Sequence, residues 1–252
     1  MSEIDKNNNW QLITILVALL LGISIKNQYF CMTWILILLT MNNVKSIIKK
    51  NKIFYFFRMT LYFFPFLMSF IIFKVIYNPK VDYKYSYHLI IVLLLFLIYF
   101  VYTHYKYFKL IFSKGYISSF PKKTKTEYIL IIYNQVGAAI CEELYFRYSL
   151  ILLFSSIPFS SVMISTISFF MYHFVLKWSN EFRFKDFLNQ LVYGLLFSLV
   201  YFYSNCIYLS IGMHIFVNLP SVIIASNSYY HYYVKHAKYS EDNYEVFDNI
   251  DI

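Results

Sequence analysis

Charge is scarce in this chain. Aspartate, glutamate, lysine and arginine make up 14% of its 252 residues, against roughly 25% in an ordinary soluble domain. Only three residues are arginines, Arg58, Arg147 and Arg183. Cysteine is nearly absent too. Cys31, Cys141 and Cys206 are odd in number and far apart, so they form neither a disulfide framework nor a metal-ligand spacing. There is no internal repeat, no low-complexity linker, and no basic n-region with a small-x-small cleavage site, so the first apolar run reads as a retained helix and not a signal peptide. Two catalytic patterns are also missing: no His-Glu-x-x-His for a zincin-like site, and no Gly-x-Gly-Asp for an intramembrane aspartyl site.

Apolar residues fill the space, at 60% of the chain, and they fall in stretches of membrane-spanning length. An all-α, polytopic membrane bundle of about eight helices follows, because a spanning chain must satisfy its backbone internally. The expected spans are Trp10–Ile25, Tyr29–Met41, Ile53–Tyr77, Tyr87–Phe108, Tyr128–Phe154, Ser161–Leu176, Phe187–Tyr203 and Cys206–Ala225. The second is short, and the first two could be one broken segment. The chain divides into N-terminal transmembrane helices over 1–126, core helices over 127–226 and a tail over 227–252.

The net charge of +9 is spread over loops, which serves membrane topology and not a nucleic-acid-binding face. Lysines crowd the loops after spans two (Lys45, Lys49, Lys50, Lys52) and four (Lys109, Lys114, Lys122, Lys123, Lys125), and Lys177, Arg183 and Lys185 follow span six. The alternate loops are nearly bare. Both termini of this integral membrane protein are therefore expected in the cytoplasm. Tyr229, Tyr230, Tyr232 and Tyr233 read as an interfacial aromatic belt before an acidic tail.

Against that background, Glu142, Glu143 and Arg147 stand inside an apolar run. Each charge at the bilayer centre costs roughly 2.5–3.5 kcal/mol on insertion scales, so such residues are functional candidates. Glu143 and Arg147 are four apart and can pair on one helix face; Glu142 is rotated about 100° away. Gly137, Ala138 and Ala139 allow close helix approach, and Asn134 and Gln135 must turn their polar edges to the bundle. Span six carries Phe169 and His173, span eight His214 and Asn218. Each alone fits helix–helix hydrogen bonding, and the carboxylates with Arg147 fit a neutralised ion cluster. Converged on one point, the set holds what hydrolysis needs, a general base for water and donors for an oxyanion.

The ordered motifs Glu142-Glu143-x-x-x-Arg147, Phe169-x-x-x-His173 and His214-x-x-x-Asn218 resemble those of the CAAX-protease and bacteriocin-processing family of intramembrane endopeptidases, which includes the type II CAAX prenyl endopeptidases. The resemblance covers roughly Tyr128 to Ala225. It implies that Glu142 activates water with His173, and that His214 and Asn218 stabilise the oxyanion or, in an older view, ligate a metal. Glu143, Arg147 and Phe169 would support the site. Glu142, His173 and His214 would be the ligands if zinc is bound, which the sequence leaves open.

The expected activity is hydrolysis of a peptide or membrane-protein substrate within the lipid bilayer, in peptide or bacteriocin processing or immunity. A non-catalytic immunity or partner-binding protein is the alternative, and a small transporter using Glu142 as a proton relay a third.

Overall fold

The computed structural model describes residues 27–44, 52–112, 115–175 and 184–235. The first expected span, the loop residues Lys45, Lys49, Lys50, Lys114, Lys177 and Arg183, and the acidic tail lie outside these residues.

Among the described residues the secondary structure is helical, with no strand. Helix α1 (Gln28–Val44) opens where the Asn27 side chain accepts the Phe30 N–H at 3.1 Å. Helices α2 (Lys52–Leu61) and α3 (Phe64–Tyr77) meet at a bend of 50°. One continuous span was expected there; the chain breaks instead because Pro65, in the first turn of α3, cannot donate to the preceding turn and its ring would clash with it. Helix α4 (Tyr87–Ile111) is capped by Ser86. A capping box between Thr124 and Glu127 fixes the start of α5 (Lys125–Glu143). That helix runs through a π-helical turn (Leu144–Ser149) into the single turn α6 (Leu150–Leu153). Helices α7 (Pro158–Val175), α8 (Phe184–Ser204) and α9 (Ile207–Tyr230) follow, and α9 ends in a second π turn (His231–Lys235).

Three of these, α4, α8 and α9 with its extension, are long and apolar enough to cross a membrane, and a fourth if α2 and α3 form one bent span. The distribution of polarity supports an embedded bundle. Large apolar side chains point outward, with Val75 78% and Ile98 68% exposed, whereas Ser69, Ser165, Ser198, Glu143 and Arg147 are fully enclosed. In water that arrangement would leave apolar surface wet and bury charge; in lipid both choices are reasonable.

Packing centres on the π turn. Phe66 of α3 sets its ring 5.4 Å from Phe146 and 4.9 Å from Tyr172, edge to face with the latter, and Phe146 meets Phe169 at 5.4 Å with the rings perpendicular. Such contacts fix orientation as well as burying area. The most extensive helix pairings are α5 with α9 and α7 with α8, so the three helices that carry the motifs, together with α8, are those packed most closely.

Candidate active site

On α5, Asn134, Ala138 and Glu142 are spaced by four and so share one face, which lines a cavity of about 430 Å³. His173 comes from α7, and His214 and Asn218, again four apart, come from α9. The four expected catalytic side chains thus lie on the wall of one cavity, in the size range of small-ligand sites. Phe169 lines it too. Glu143 and Arg147 do not; they lie behind the wall.

The two adjacent glutamates have different surroundings. Glu142 is 5% exposed, and its Oε2 is buried without a hydrogen-bond partner. Glu143 is fully enclosed, with Oε1 accepting from His214 Nδ1 at 2.8 Å and Oε2 3.2 Å from Arg147 Nε. The latter contact is an ion pair whose angle does not complete a hydrogen bond. Arg147 also donates from Nη2 to the Gly194 carbonyl at 3.4 Å and lays its guanidinium 4.3 Å over the Phe169 ring. A buried guanidinium is thereby held by one carboxylate, one carbonyl and an aromatic face.

The local sequence makes this possible. In the π turn the i→i+4 ladder gives way, and neighbouring hydroxyls serve its carbonyls: Ser165 of α7 donates to Phe146 O at 2.7 Å, and Ser149 to Leu144 O at 3.0 Å. Such turns often mark functional sites. Gly194 brings α8 close, since a Cβ there would lie 3.0 Å from the Phe169 ring. Phe169 is consequently wedged between Arg147 and His173, whose ring centroid is 4.5 Å from its own.

Chemistry assigns the imidazole tautomers. His173 Nδ1 lies 2.9 Å from the Phe169 carbonyl, which can only accept, so Nδ1 carries the proton and Nε2 keeps its lone pair. His214 Nδ1 faces a carboxylate and likewise donates, so Nε2 can donate only when the ring carries both protons. Asn218 Nδ2 donates to the Gln135 carbonyl at 3.1 Å, which braces α9 on α5 and fixes the carboxamide.

Sequence reasoning assigned Glu143 to supporting Glu142 through Arg147. The structure adds the Glu143–His214 contact, which spans 71 residues and leaves no trace in local spacing. It also adds Gln190 and Tyr193 of α8 and Tyr62 of the α2–α3 bend to the cavity. Gln190 could have been found, as a carboxamide inside an apolar span, by the same signal that singled out Asn134.

Whether these residues suit a metal is a question of donors and spacing. A carboxylate and two imidazoles are donor types that zinc takes. No three His, Cys, Asp or Glu side chains among the described residues are grouped to hold an ion.

Residues 124–220 match the family model described as type II CAAX prenyl endopeptidase, Rce1-like. This segment is a CAAX-protease domain. It begins at the cap of α5 and ends within α9, so it takes in all three motifs and the walls of the cavity that α5, α7, α8 and α9 supply. The likeness is to endopeptidases of the intramembrane CAAX type and is confined to this segment. No curated protein and no solved structure matches the chain.

Proposed function

We propose that the chain hydrolyses peptide bonds inside the membrane, with Glu142 as the base that activates water. The observation that carries this reading is the buried, unpartnered Glu142 Oε2 in a cavity shared with His173, His214 and Asn218. A water between the Glu142 carboxylate and His173 Nε2 gives its proton to Glu142 as its oxygen attacks the scissile carbonyl. The oxyanion that forms is met by the Asn218 amide and by Nε2–H of a doubly protonated His214, whose ring Glu143 orients from behind through Nδ1. Collapse of the tetrahedral intermediate breaks the C–N bond, and Glu142 returns its proton to the leaving amine. One water is consumed, and one carboxyl and one amine are produced.

Arg147 neutralises the second carboxylate, so that Glu143 does not compete with Glu142 for the water's proton. Phe169 holds Arg147 and His173 in place. These are positioning roles.

The substrate is a peptide or membrane protein reaching the cavity through the bilayer, in processing of peptides or bacteriocins or in immunity to them. The loop lysines support a cytoplasmic location for the α4–α5 loop and both termini, in a bacterial plasma membrane. Single-turnover cleavage of a membrane-inserted peptide library in ¹⁸O-water tests the chemistry. The account expects one ¹⁸O in each new carboxyl and none in Glu142. Label in Glu142 would mean that the carboxylate attacks the substrate itself.

A further inference from the structure

The tyrosine cluster straddles the end of α9 and the π turn that follows it. Its tyrosines close on the loop between α4 and α5. Tyr232 donates its hydroxyl to the Phe120 carbonyl and Tyr233 to the Lys123 carbonyl, each at 2.6 Å. Tyr128, in the first turn of α5, accepts the Lys123 N–H at 3.1 Å, and its ring sits 6.4 Å from those of Tyr229 and Tyr233. The loop is therefore pinned by three phenols from two helices.

Two ammonium groups gather over this floor, Lys122 Nζ at 5.0 Å and Lys125 Nζ at 5.3 Å from the Tyr233 ring. Like charges repel, so placing two over one ring favours a shared counter-anion. No carboxylate among the described residues pairs with either lysine. Glu127, the acidic side chain of this loop and helix start, turns its Oε2 to the Thr124 N–H at 2.9 Å and the Thr124 hydroxyl at 3.1 Å. Near the lysines is a mainly apolar concavity of about 190 Å³, walled by Phe120, Pro121, Ile131, Ile224 and Ala225 with Ser221 and Ser228 among them. The loop joins the spanning helix α4 to α5, which places the pair of charges at a membrane surface.

We propose that Lys122 and Lys125, gathered over Tyr233 at the junction of the α4–α5 loop with the end of α9, bind the phosphate of an anionic lipid headgroup. The tyrosine hydroxyls fix the loop backbone from which the lysines rise, the two ammonium groups take the phosphate, and the apolar concavity takes the start of an acyl chain. Because α5 begins in this loop, the lipid also anchors the helix that carries Glu142. The proposal rests on the chain being embedded in a membrane and not on the peptidase chemistry.

The full chain in detergent micelles, titrated with short-chain phosphatidylglycerol and with phosphatidylcholine of equal chain length, tests it by native mass spectrometry. Phosphatidylglycerol should bind roughly thirtyfold more tightly, the ratio expected of two lysines at an anionic surface. The double variant Lys122→Gln, Lys125→Gln should bring the two lipids to within about threefold of each other, whereas Lys80→Gln, Lys84→Gln at the opposite loop should preserve the preference. Tyr233→Leu should weaken it without removing a charge. An unchanged preference in the Lys122, Lys125 double variant overturns the site, and an unchanged preference in Tyr233→Leu overturns its organisation by the ring. Full competition by millimolar inorganic phosphate would assign the lysines to a free anion and overturn the lipid assignment.

Discussion

Glu143 and His214, on different helices and 71 residues apart, are joined by a 2.8 Å contact between Oε1 and Nδ1, while Glu142, the chain neighbour of Glu143, has an unpartnered oxygen in the cavity. Two consecutive carboxylates thus have different surroundings, one held between His214 and Arg147 and one with an unpartnered oxygen in the cavity.

That division gives opposite expectations for folding. Arg147→Ala leaves Glu143 enclosed with its cation gone and should destabilise the protein by about 3–5 kcal/mol. Glu142→Gln removes a charge that has no fixed partner and should leave stability unchanged to within about 0.5 kcal/mol. Thermal unfolding in micelles, read with membrane accumulation of each variant, checks the order. The reverse order would mean that the two glutamates have been exchanged.

His214 should respond as a group held from behind. Glu143→Gln keeps the shape of the side chain but removes the carboxylate that orients His214 through Nδ1. It should lower kcat by about tenfold to a hundredfold with little change in KM, since losing an orienting partner commonly costs that much. A loss confined to KM would place Glu143 in substrate binding instead.

Gly137 sets how closely the α2–α3 bend approaches α5. A Cβ at this position would lie 2.7 Å from Phe63 Cε1, and the ring has little room to move because Phe63 is buried. Gly137→Ala should cost about 1–3 kcal/mol from overpacking. Phe63→Leu in the same chain should recover part of that loss in thermal unfolding; strictly additive losses would mean that the two positions do not touch.

Much of the site was legible in the sequence because it rests on helical spacing. Glu143 and Arg147, and His214 and Asn218, share faces that the i,i+4 rule assigns, and charge within an apolar run marked Glu142 from the start. The Glu143–His214 contact was not legible, since periodicity speaks along one helix and is silent about which helix lies opposite. Nor was the π turn. Nothing in Leu144–Ser149 announces it, and one of its carbonyls is satisfied by Ser165 from another helix. The bend before α3 was within reach, because Pro65 cannot sit inside a straight helix; the reading let hydrophobicity carry the span through it.

Chelation separates side-chain chemistry from metal chemistry. A purified sample dialysed against EDTA should keep its activity to within about twofold, whereas a metal that generates the nucleophile would be worth several kcal/mol of barrier. A loss of more than about tenfold that zinc restores would assign Glu142, His173 and His214 as ligands.

Topology decides from which side substrates come. Cysteine-accessibility labelling at position 123, in the α4–α5 loop, and at position 156, between α6 and α7, should report opposite sides, with 123 cytoplasmic. Labelling of both from one side would mean that α5 does not cross the membrane and that Glu142 is not within it.

The central claim is that Glu142 is the base, and the most direct measurement is the rate of peptide cleavage in proteoliposomes by Glu142→Gln, normalised to folded protein. The account expects a loss of about 10²–10⁴-fold, the usual worth of a positioned general base, at unchanged thermal stability. Cleavage within about threefold of the unmodified chain, far short of what a lost base costs, would contradict it.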